Sequence, residues 1–267
     1  MLIIGELINS TRKEVKEALQ NQDESTIRRL AREQVEAGAD VLDVNTATSR
    51  KQELEHMEWV IDLIYDEVGE DVRLVIDSPN PEAISRGLER AKARPLVNSI
   101  NNKAETTDAL IPLLKKHDAD FIGLTLGAQG MPKTADDRLR EAEQLIETIK
   151  REGLKPERMY IDPLVMTVGS NQEQAGYVID TVRAIKDRWG EEGVKTSVGL
   201  SNVSHGLPKR TLINRAFLAM LLEAGLDAAL IDPLDGGMID ALRASEAILG
   251  IDASCLNYIK HMRKRGY

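Results

Sequence analysis

The sequence is poor in several residue types, and each shortage excludes a class of protein. A single cysteine, Cys255, rules out an internal disulfide bond and suits a reducing compartment. Aromatic residues make up only 3% of the chain, which argues against a surface that stacks nucleobases. The net charge of -9 argues against a nucleic-acid backbone as the main partner. We therefore expect no nucleic-acid partner.

Long apolar runs are also absent. No apolar stretch approaches the roughly 20 residues of a membrane-spanning helix. The opening segment, MLIIGELINS, has no basic region and only a short apolar run, which is not the pattern of a signal peptide. These features predict a cytoplasmic protein without a membrane partner. The hydrophobic content of 42% is ordinary for a globular chain, and 267 residues suffice for one large domain or for two small ones.

What the chain does contain is a regular alternation of short apolar runs and amphipathic segments. Most of the runs are continuously apolar, as expected for parallel strands that are buried on both faces. The segments between them have spaced apolar positions, and several end at glycine, as amphipathic helices do. The runs predict eight strands, over residues 2–7, 40–45, 73–78, 95–99, 120–126, 158–163, 195–201 and 227–232.

Eight strand–helix units in this length give about 33 residues per unit, the usual size of a βα repeat. The alternation predicts a parallel sheet. The simplest arrangement of eight units is a closed (β/α)8 barrel, an α/β fold of the TIM type, in a single domain over residues 1–267. An open doubly wound sheet is the alternative, but no G-x-G-x-x-G motif follows the first strand.

In such a barrel the active site lies at the carboxyl ends of the strands. Lysine, arginine, cysteine and histidine are nearly absent from the predicted ends. Carboxylates and carboxamides dominate there instead, at Asn9, Asp43, Asn45, Asp77, Asn98, Asp162, Asn202 and Asp232. The sequence has no cysteine and histidine cluster suited to zinc and no sensibly placed Ser-His-Asp arrangement, so we predict no metal site.

A ring of Asp and Asn suits a neutral ligand that is rich in N–H donors. A carboxylate accepts two parallel hydrogen bonds from a guanidine-like edge, such as that of a 2-amino-4-oxopyrimidine, and an asparagine both donates and accepts. The alternative is that these residues cap helices or satisfy loop backbones. For any single residue the two explanations are equally good. A binding role is favoured for Asp77, Asn98 and Asp162 together, because they belong to three different strand ends.

Several stretches, in order over nearly the whole chain, resemble one known family. It is that of the pterin-binding methyltransferases, which exchange a methyl group between N5 of tetrahydrofolate and the cobalt of a corrinoid protein. Its members include the methyltetrahydrofolate:corrinoid/iron–sulfur protein methyltransferase, the second methyltransferases of demethylase systems and the folate domain of cobalamin-dependent methionine synthase. The matching stretches are MLIIGELIN, GADVLDVN, LVIDSPNPEAI, LVNSIN, FIGLTL, GMPKTADDR, YIDPLV, GLSNVS, LINRAFLAM and AGLDAALID, of which GLSNVS and IDPLV are the most specific.

The resemblance implies a (β/α)8 barrel like that of dihydropteroate synthase, a homodimer, and tetrahydrofolate or 5-methyltetrahydrofolate as substrate. It implies that Asp77, Asn98 and Asp162 hold the pterin ring. Asn202, in GLSNVS, would reach N5, the atom that carries the methyl group, and would be the catalytic residue.

In the same loop, Gly199 and Ser201 would supply backbone contacts near the ring. Asn9, Asp43 and Asn45 are further candidates for the pocket. One departure is Leu7, which stands where relatives have the arginine of GERIN, so the role of that arginine is open in this chain.

The corrinoid is expected to arrive on a separate protein that docks transiently over the barrel mouth. The chain has no D-x-H-x-x-G cobalamin-binding motif, and one cysteine cannot form a homocysteine-binding triad. Two other functions stay open. Dihydropteroate synthase shares the barrel and the pterin pocket, but it needs cations for pyrophosphate departure where this chain has GLSNVS and IDPLDGG. A non-catalytic folate-binding protein is the alternative from another class.

Overall fold

The computed structural model describes residues 1–48 and 52–267, and its strands form one closed parallel barrel. The strands follow one another around the barrel in chain order, and the last pairs with the first. They are β1 (Leu2–Asn9), β2 (Val41–Asn45), β3 (Arg73–Asp77), β4 (Leu96–Ile100), β5 (Asp120–Leu124), β6 (Met159–Asp162), β7 (Lys195–Gly199) and β8 (Ala228–Ile231). The predicted (β/α)8 barrel is confirmed, with each strand end within two residues of its predicted position.

Helices cover the outside of the barrel, and side-chain caps fix the start of several of them. Asp23 accepts from two backbone N–H groups at the start of α2, and Thr134 and Asp137 form a capping box at the start of α6. The helices are α1 (Lys13–Asn21), α2 (Glu24–Glu36), α3 (Glu53–Val68), α4 (Pro81–Arg90), α5 (Ala104–His117), α6 (Ala135–Arg151), α7 (Glu173–Trp189), α8 (Arg210–Glu223), α9 (Gly236–Ile248) and α10 (Leu256–Lys264). Within the described residues, no helix combines the length and apolar character needed to cross a membrane.

The apolar core has two layers. One lies between the strands and the helices, and the other fills the interior of the barrel. The interior layer takes one inward-facing residue from each of seven strands, namely Ile4, Val41, Val75, Leu96, Ile122, Tyr160 and Ala228. Because side chains alternate between the two faces of a strand, the next inward-facing residue lies two positions further on. At five strands this next residue is polar, at Glu6, Asp43, Asp77, Asn98 and Asp162.

Leu7 faces away from this interior. It is 1% exposed and packs in the layer between strands and helices. Its backbone N–H donates to Oε1 of Gln34 on α2 at 3.0 Å. The departure from GERIN therefore lies in the layer between β1 and the helices, away from the interior of the barrel.

Candidate active site

The polar layer of the barrel opens into a cavity of about 540 Å³ at the carboxyl ends of the strands. The walls of this cavity come from β1, β2, β3, β7 and β8 and from the segments that follow β1, β7 and β8. Of the site residues predicted from the sequence, those lining the cavity are Asn9, Asp43, Asp77, Gly199, Ser201 and Asn202. One face of the cavity is thus formed by the loop that the sequence singled out after β7.

The other predicted residues, Asn45, Asn98 and Asp162, do not line this cavity but adjoin those that do. Asn45 donates from Nδ2 to Oδ2 of Asp77 at 3.0 Å, and Asn98 pairs in register with Asp77 on the neighbouring strand. Asp162 approaches the backbone N–H of Gly199, at the end of β7. The predicted residues therefore form one continuous polar layer, although the open cavity lies on the β1 side of it.

The residues after β7 form a 3₁₀ turn over Leu200–Ser204. Arg210, the first residue of α8, holds this turn: its Nη2 donates to the carbonyl oxygen of Ser201 at 2.6 Å, and its Nε donates to Oγ of Ser204 at 3.0 Å. The carboxamide of Asn202 makes no hydrogen bond within the described part of the chain. The turn is therefore fixed through other groups, and the Asn202 side chain is left available to the cavity.

Gly199 gives this carboxamide its space. A Cβ atom at position 199 would lie 3.1 Å from Nδ2 of Asn202, which is closer than most side-chain contacts. A larger residue would push the carboxamide aside, so glycine at the end of β7 and asparagine in the turn depend on each other.

Asp43 is the most enclosed acid in the layer. It is 0% exposed, and neither of its carboxyl oxygens has a hydrogen-bond partner among the described residues. Burial raises the pKa of Asp43 well above its usual range, and the negative charges of Asp77 and Glu6 raise it further, while the nearby Asn9 side chain acts weakly in the other direction. These effects favour the protonated acid at this position.

The pKa values of Asp77 and Asp162 are raised less than that of Asp43. Burial raises the pKa of Asp77 to about 6, although the hydrogen bond from Asn45 lowers it. Burial likewise raises the pKa of Asp162 to about 6, opposed by the backbone N–H groups of Leu164 and Gly199 and by the positive charge of Arg138. Both carboxyls are therefore mostly ionised at neutral pH, so they can accept hydrogen bonds there.

Glu6 is a site residue that the sequence reasoning missed. It lines the cavity, and burial together with the negative charge of Asp232 raises its pKa to about 7, against the lowering effects of Arg12, Arg210 and Ser201. The prediction considered strand ends, and Glu6 lies inside the first predicted strand. The available signal was a lone carboxylate two positions after Ile4 in an otherwise apolar run.

Arg138 was also missed. This side chain is 0% exposed, and it donates four hydrogen bonds without an ion-pair partner among the described residues. Its Nε donates to the carbonyl oxygen of Pro163 at 2.6 Å, and its Nη2 donates to the carbonyl oxygen of Leu164 at 3.2 Å and to Oε1 of Gln174 at 2.7 Å. The fourth bond runs from Nη1 to the carbonyl oxygen of Thr134 at 3.1 Å. The sequence signal was an arginine within the buried stripe of α6.

These bonds determine the shape of the turn that follows Asp162. Leu164 has a φ of 60°, in the left-handed region that a leucine rarely adopts. In this conformation its N–H donates to Oδ1 of Asp162 at 2.7 Å, while its carbonyl oxygen accepts from Arg138. Arg138 therefore acts on Asp162 in two ways, through its charge and through the turn that supplies an N–H donor.

Replacing Arg138 by Met should raise the pKa of Asp162 above its value of about 6, because a positive charge and a held N–H donor are lost together. Titration of the aspartate side-chain carboxyls by carbon-13 NMR, with Asp162→Asn to assign the signal, measures this. Arg138→Lys should give a smaller rise, because it keeps the charge but cannot form the same fork. Arg140→Met, at an exposed arginine on the same helix, is the control. If the pKa of Asp162 is the same in all three variants, Arg138 does not act on Asp162.

Comparisons with known proteins agree with this geometry. A sequence profile of the family described as pterin binding enzymes matches residues 5–232. The chain is 33% identical to the methylcorrinoid:tetrahydrofolate methyltransferase of Eubacterium limosum, over 99% of this chain and 97% of that protein. It is 29% identical to the methionine synthase of Mycobacterium leprae over 86% of this chain, which is only 20% of that longer protein.

Among solved structures, a dihydropteroate synthase from Coxiella burnetii in complex with pteroic acid matches with a TM-score of 0.71 over 94% of each chain, at 17% identity. A second, from Xanthomonas albilineans in complex with 7,8-dihydropteroate, matches with a TM-score of 0.68 over 93% of each chain, also at 17% identity. These likenesses concern the fold alone and confirm the predicted similarity to the dihydropteroate synthase barrel. The sequence matches confirm the resemblance drawn from the motifs, and the chain belongs to the family of pterin binding enzymes.

Proposed function

We propose that the protein is a methyltransferase that exchanges a methyl group between N5 of tetrahydrofolate and the cobalt of a corrinoid on a separate protein. The observation that carries the proposal is the pairing of a polar layer suited to a pterin with an uncommitted carboxamide, that of Asn202, beside it. The named methyltransferase relative supports it, because the match covers nearly the full length of both chains. The match to methionine synthase supports the same class of reaction.

In this proposal the pterin ring is held by Asp77, Asn98 and Asp162. The 2-amino group and the neighbouring ring N–H of the pterin are donors, and an ionised carboxylate is a strong acceptor for them. Asp77 and Asp162 have pKa values of about 6, so each is available as an acceptor at neutral pH. Asn98 adds a group that both donates and accepts, as the carbonyl and N–H groups of the ring require.

Asn202 is proposed to contact N5. A methyl group on N5 is attached to a poor leaving group, so its departure requires the nitrogen to be hydrogen-bonded or protonated. In the opposite direction the N5 lone pair has to be free to attack. A neutral carboxamide can donate or accept in either case, whereas a fixed cation would oppose one direction. Gly199 and Ser201 would frame the ring from the same loop, and Asn9, Asp43 and Asn45 would border it from β1 and β2.

The main alternative, dihydropteroate synthesis, requires cations to stabilise the departing pyrophosphate. After β7 the cavity presents Ser201 and Asn202, and after β8 it presents Asp232 and Asp235. Arg210, near the same turn, is engaged with the carbonyl oxygen of Ser201. The other arginine that lines the cavity, Arg12, follows β1. Apart from the engaged Arg210, the walls after β7 and β8 are thus neutral or acidic, which favours methyl transfer. A folate-binding protein without catalysis is distinguished by turnover with methylcobalamin and tetrahydrofolate.

The corrinoid partner and the homodimer are parts of the proposal that rest on the resemblance. The open mouth of the barrel, above Asn202, is where the methyl group would have to arrive. Light scattering of the purified protein, alone and with a corrinoid protein, measures both the self-association and the transient complex.

Replacing Asp162 by Ala should weaken tetrahydrofolate binding by about 1.5–3 kcal/mol, the cost of leaving a charge-assisted hydrogen bond unmade. Titration calorimetry with tetrahydrofolate measures this difference. Asp187→Ala, at an exposed aspartate on α7, provides the matched control. An affinity within about twofold of the wild-type value would remove Asp162 from the pocket.

Replacing Asn202 by Ala should lower the rate of methyl transfer by roughly one to three orders of magnitude, comparable to the loss of one oxyanion-hole donor. Tetrahydrofolate affinity should fall much less, because the contact with N5 strengthens as bonding at that atom changes. Single-turnover transfer from methylcobalamin, run beside equilibrium binding, separates the two effects. If the variant both binds tetrahydrofolate and transfers methyl as the wild type does, Asn202 only shapes the loop.

A further inference from the structure

Methylation of tetrahydrofolate at N5 releases a proton. The role that we assign below to one acid of the cavity rests on the function proposed above. The N5 lone pair forms the new C–N bond, and the electrons of the cobalt–carbon bond stay on cobalt. The N5–H bond then breaks with its electrons staying on nitrogen, so one proton leaves N5. The carboxamide of Asn202 does not titrate near neutral pH and cannot hold that proton. Another group in the cavity has to accept it.

Most titratable groups that line the cavity are unsuited to this task. The two arginines, Arg12 and Arg210, are hydrogen-bond donors without an acceptor atom. Asp235 is committed to an ion pair with Arg215 and to capping α9. Asp77 accepts a hydrogen bond from Asn45 and is proposed to hold the pterin.

Of the remaining acids, Asp43 is fully buried between two negatively charged neighbours, which favours its protonated form. Asp232 accepts the backbone N–H of Leu234. Glu6 remains, and its carboxyl faces the hydroxyl of Ser201, in the turn that carries Asn202.

The position of Glu6 connects it to the reacting loop. Gly5 of β1 pairs with Leu42 of β2 and with Ile231 of β8. The register of β1 against β2 shifts between Gly5 and Ile8, so the neighbours of Glu6 are identified by their charges instead. The negative charge of Asp232 raises the pKa of Glu6, and that of Glu6 raises the pKa of Asp43, so both acids lie close to it. The carboxyl of Glu6 also faces the hydroxyl of Ser201, the residue before Asn202. Glu6 thus lies beside the loop proposed to contact N5, on the wall of the same cavity.

We propose that Glu6 accepts the proton released from N5 when folate is methylated and returns it to N5 in the reverse transfer. The protonated Asp43 beside it does not compete for this proton. The groups that face Glu6 set its affinity for a proton: burial and Asp232 raise its pKa to about 7, while Arg12, Arg210 and Ser201 lower it. A group that is half protonated near neutral pH can act in both directions, because it is neither a permanent acid nor a permanent base.

The pH dependence of the two directions provides the test. Single-turnover transfer from methylcobalamin to tetrahydrofolate needs ionised Glu6, so its rate should rise with pH through about 7. Transfer from 5-methyltetrahydrofolate to reduced cobalamin needs protonated Glu6, so its rate should fall through the same pH. In Glu6→Gln the pH dependence of both rates should disappear. The rate should also drop by about 10²–10⁴-fold at the pH that favours each direction in the wild type, which is high for methylation of folate and low for the reverse transfer.

Three further variants distinguish proton exchange from a structural role. Glu14→Gln, at an exposed glutamate on α1, should leave both pH dependences unchanged. Asp232→Asn should move both pH dependences to lower pH, because it removes a negative charge that raises the pKa of Glu6. Arg12→Met should move them to higher pH, because it removes a positive charge that lowers that pKa. A loss of packing would not produce shifts of opposite sign.

Two results would overturn the inference. One is a Glu6→Gln variant that binds tetrahydrofolate and keeps both wild-type pH dependences. The other is disappearance of these pH dependences in Asp43→Asn but not in Glu6→Gln, which would assign the proton to Asp43. A wild-type protein that binds tetrahydrofolate but transfers no methyl in either direction would instead refute the proposed function. Carbon-13 NMR titration of the Glu6 carboxyl, which needs no substrate, would then still show whether this acid titrates near pH 7.

Discussion

The two-residue repeat of the barrel strands is the constraint on which the rest of the structure depends. An inward-facing apolar residue on each of several strands, such as Ile4, Val41 and Val75, closes the barrel interior. The same repeat then forces the next inward-facing residue to lie directly above this layer. Where that residue is Glu6, Asp43 or Asp77, the strand places its carboxyl inside the barrel. The polar layer is therefore a consequence of register, and its members are held by the strands rather than by flexible loops.

This placement costs stability, and the cost indicates a ligand. A buried carboxyl without a hydrogen bond, such as Asp43, loses its hydration without compensation. The other carboxyls of the layer also lose hydration, and burial raises the pKa values of Asp77, Asp162 and Glu6. A ligand rich in N–H donors would satisfy these acceptors. Strain and unsatisfied polar groups of this kind are concentrated where a protein binds something, because packing alone would not retain them.

Most of the fold and part of the candidate site could be predicted from the sequence. The eight strands could be located because buried parallel strands are continuously apolar, and Asp77, Asn98 and Asp162 could be selected because they end such runs. Glu6 escaped because its position relative to the cavity depends on register, which the strand pattern alone does not fix. Arg138 escaped for a different reason: two of its partners are the backbone carbonyl groups of Pro163 and Leu164, about 25 residues away, and Leu164 has a left-handed conformation that the sequence does not reveal.

Two arginines explain how Asn202 can remain uncommitted. Arg210 holds the turn after β7 through the carbonyl oxygen of Ser201, and Arg138 holds the turn after β6 through that of Leu164. Because these bonds fix the turn after β7 through Ser201, that turn needs no hydrogen bond from the side chain of Asn202. The neutral group proposed to meet N5 and the acid proposed to exchange its proton are then separate residues, Asn202 and Glu6. This separation suits a reversible transfer, because the contact with N5 stays uncharged while the proton is held nearby.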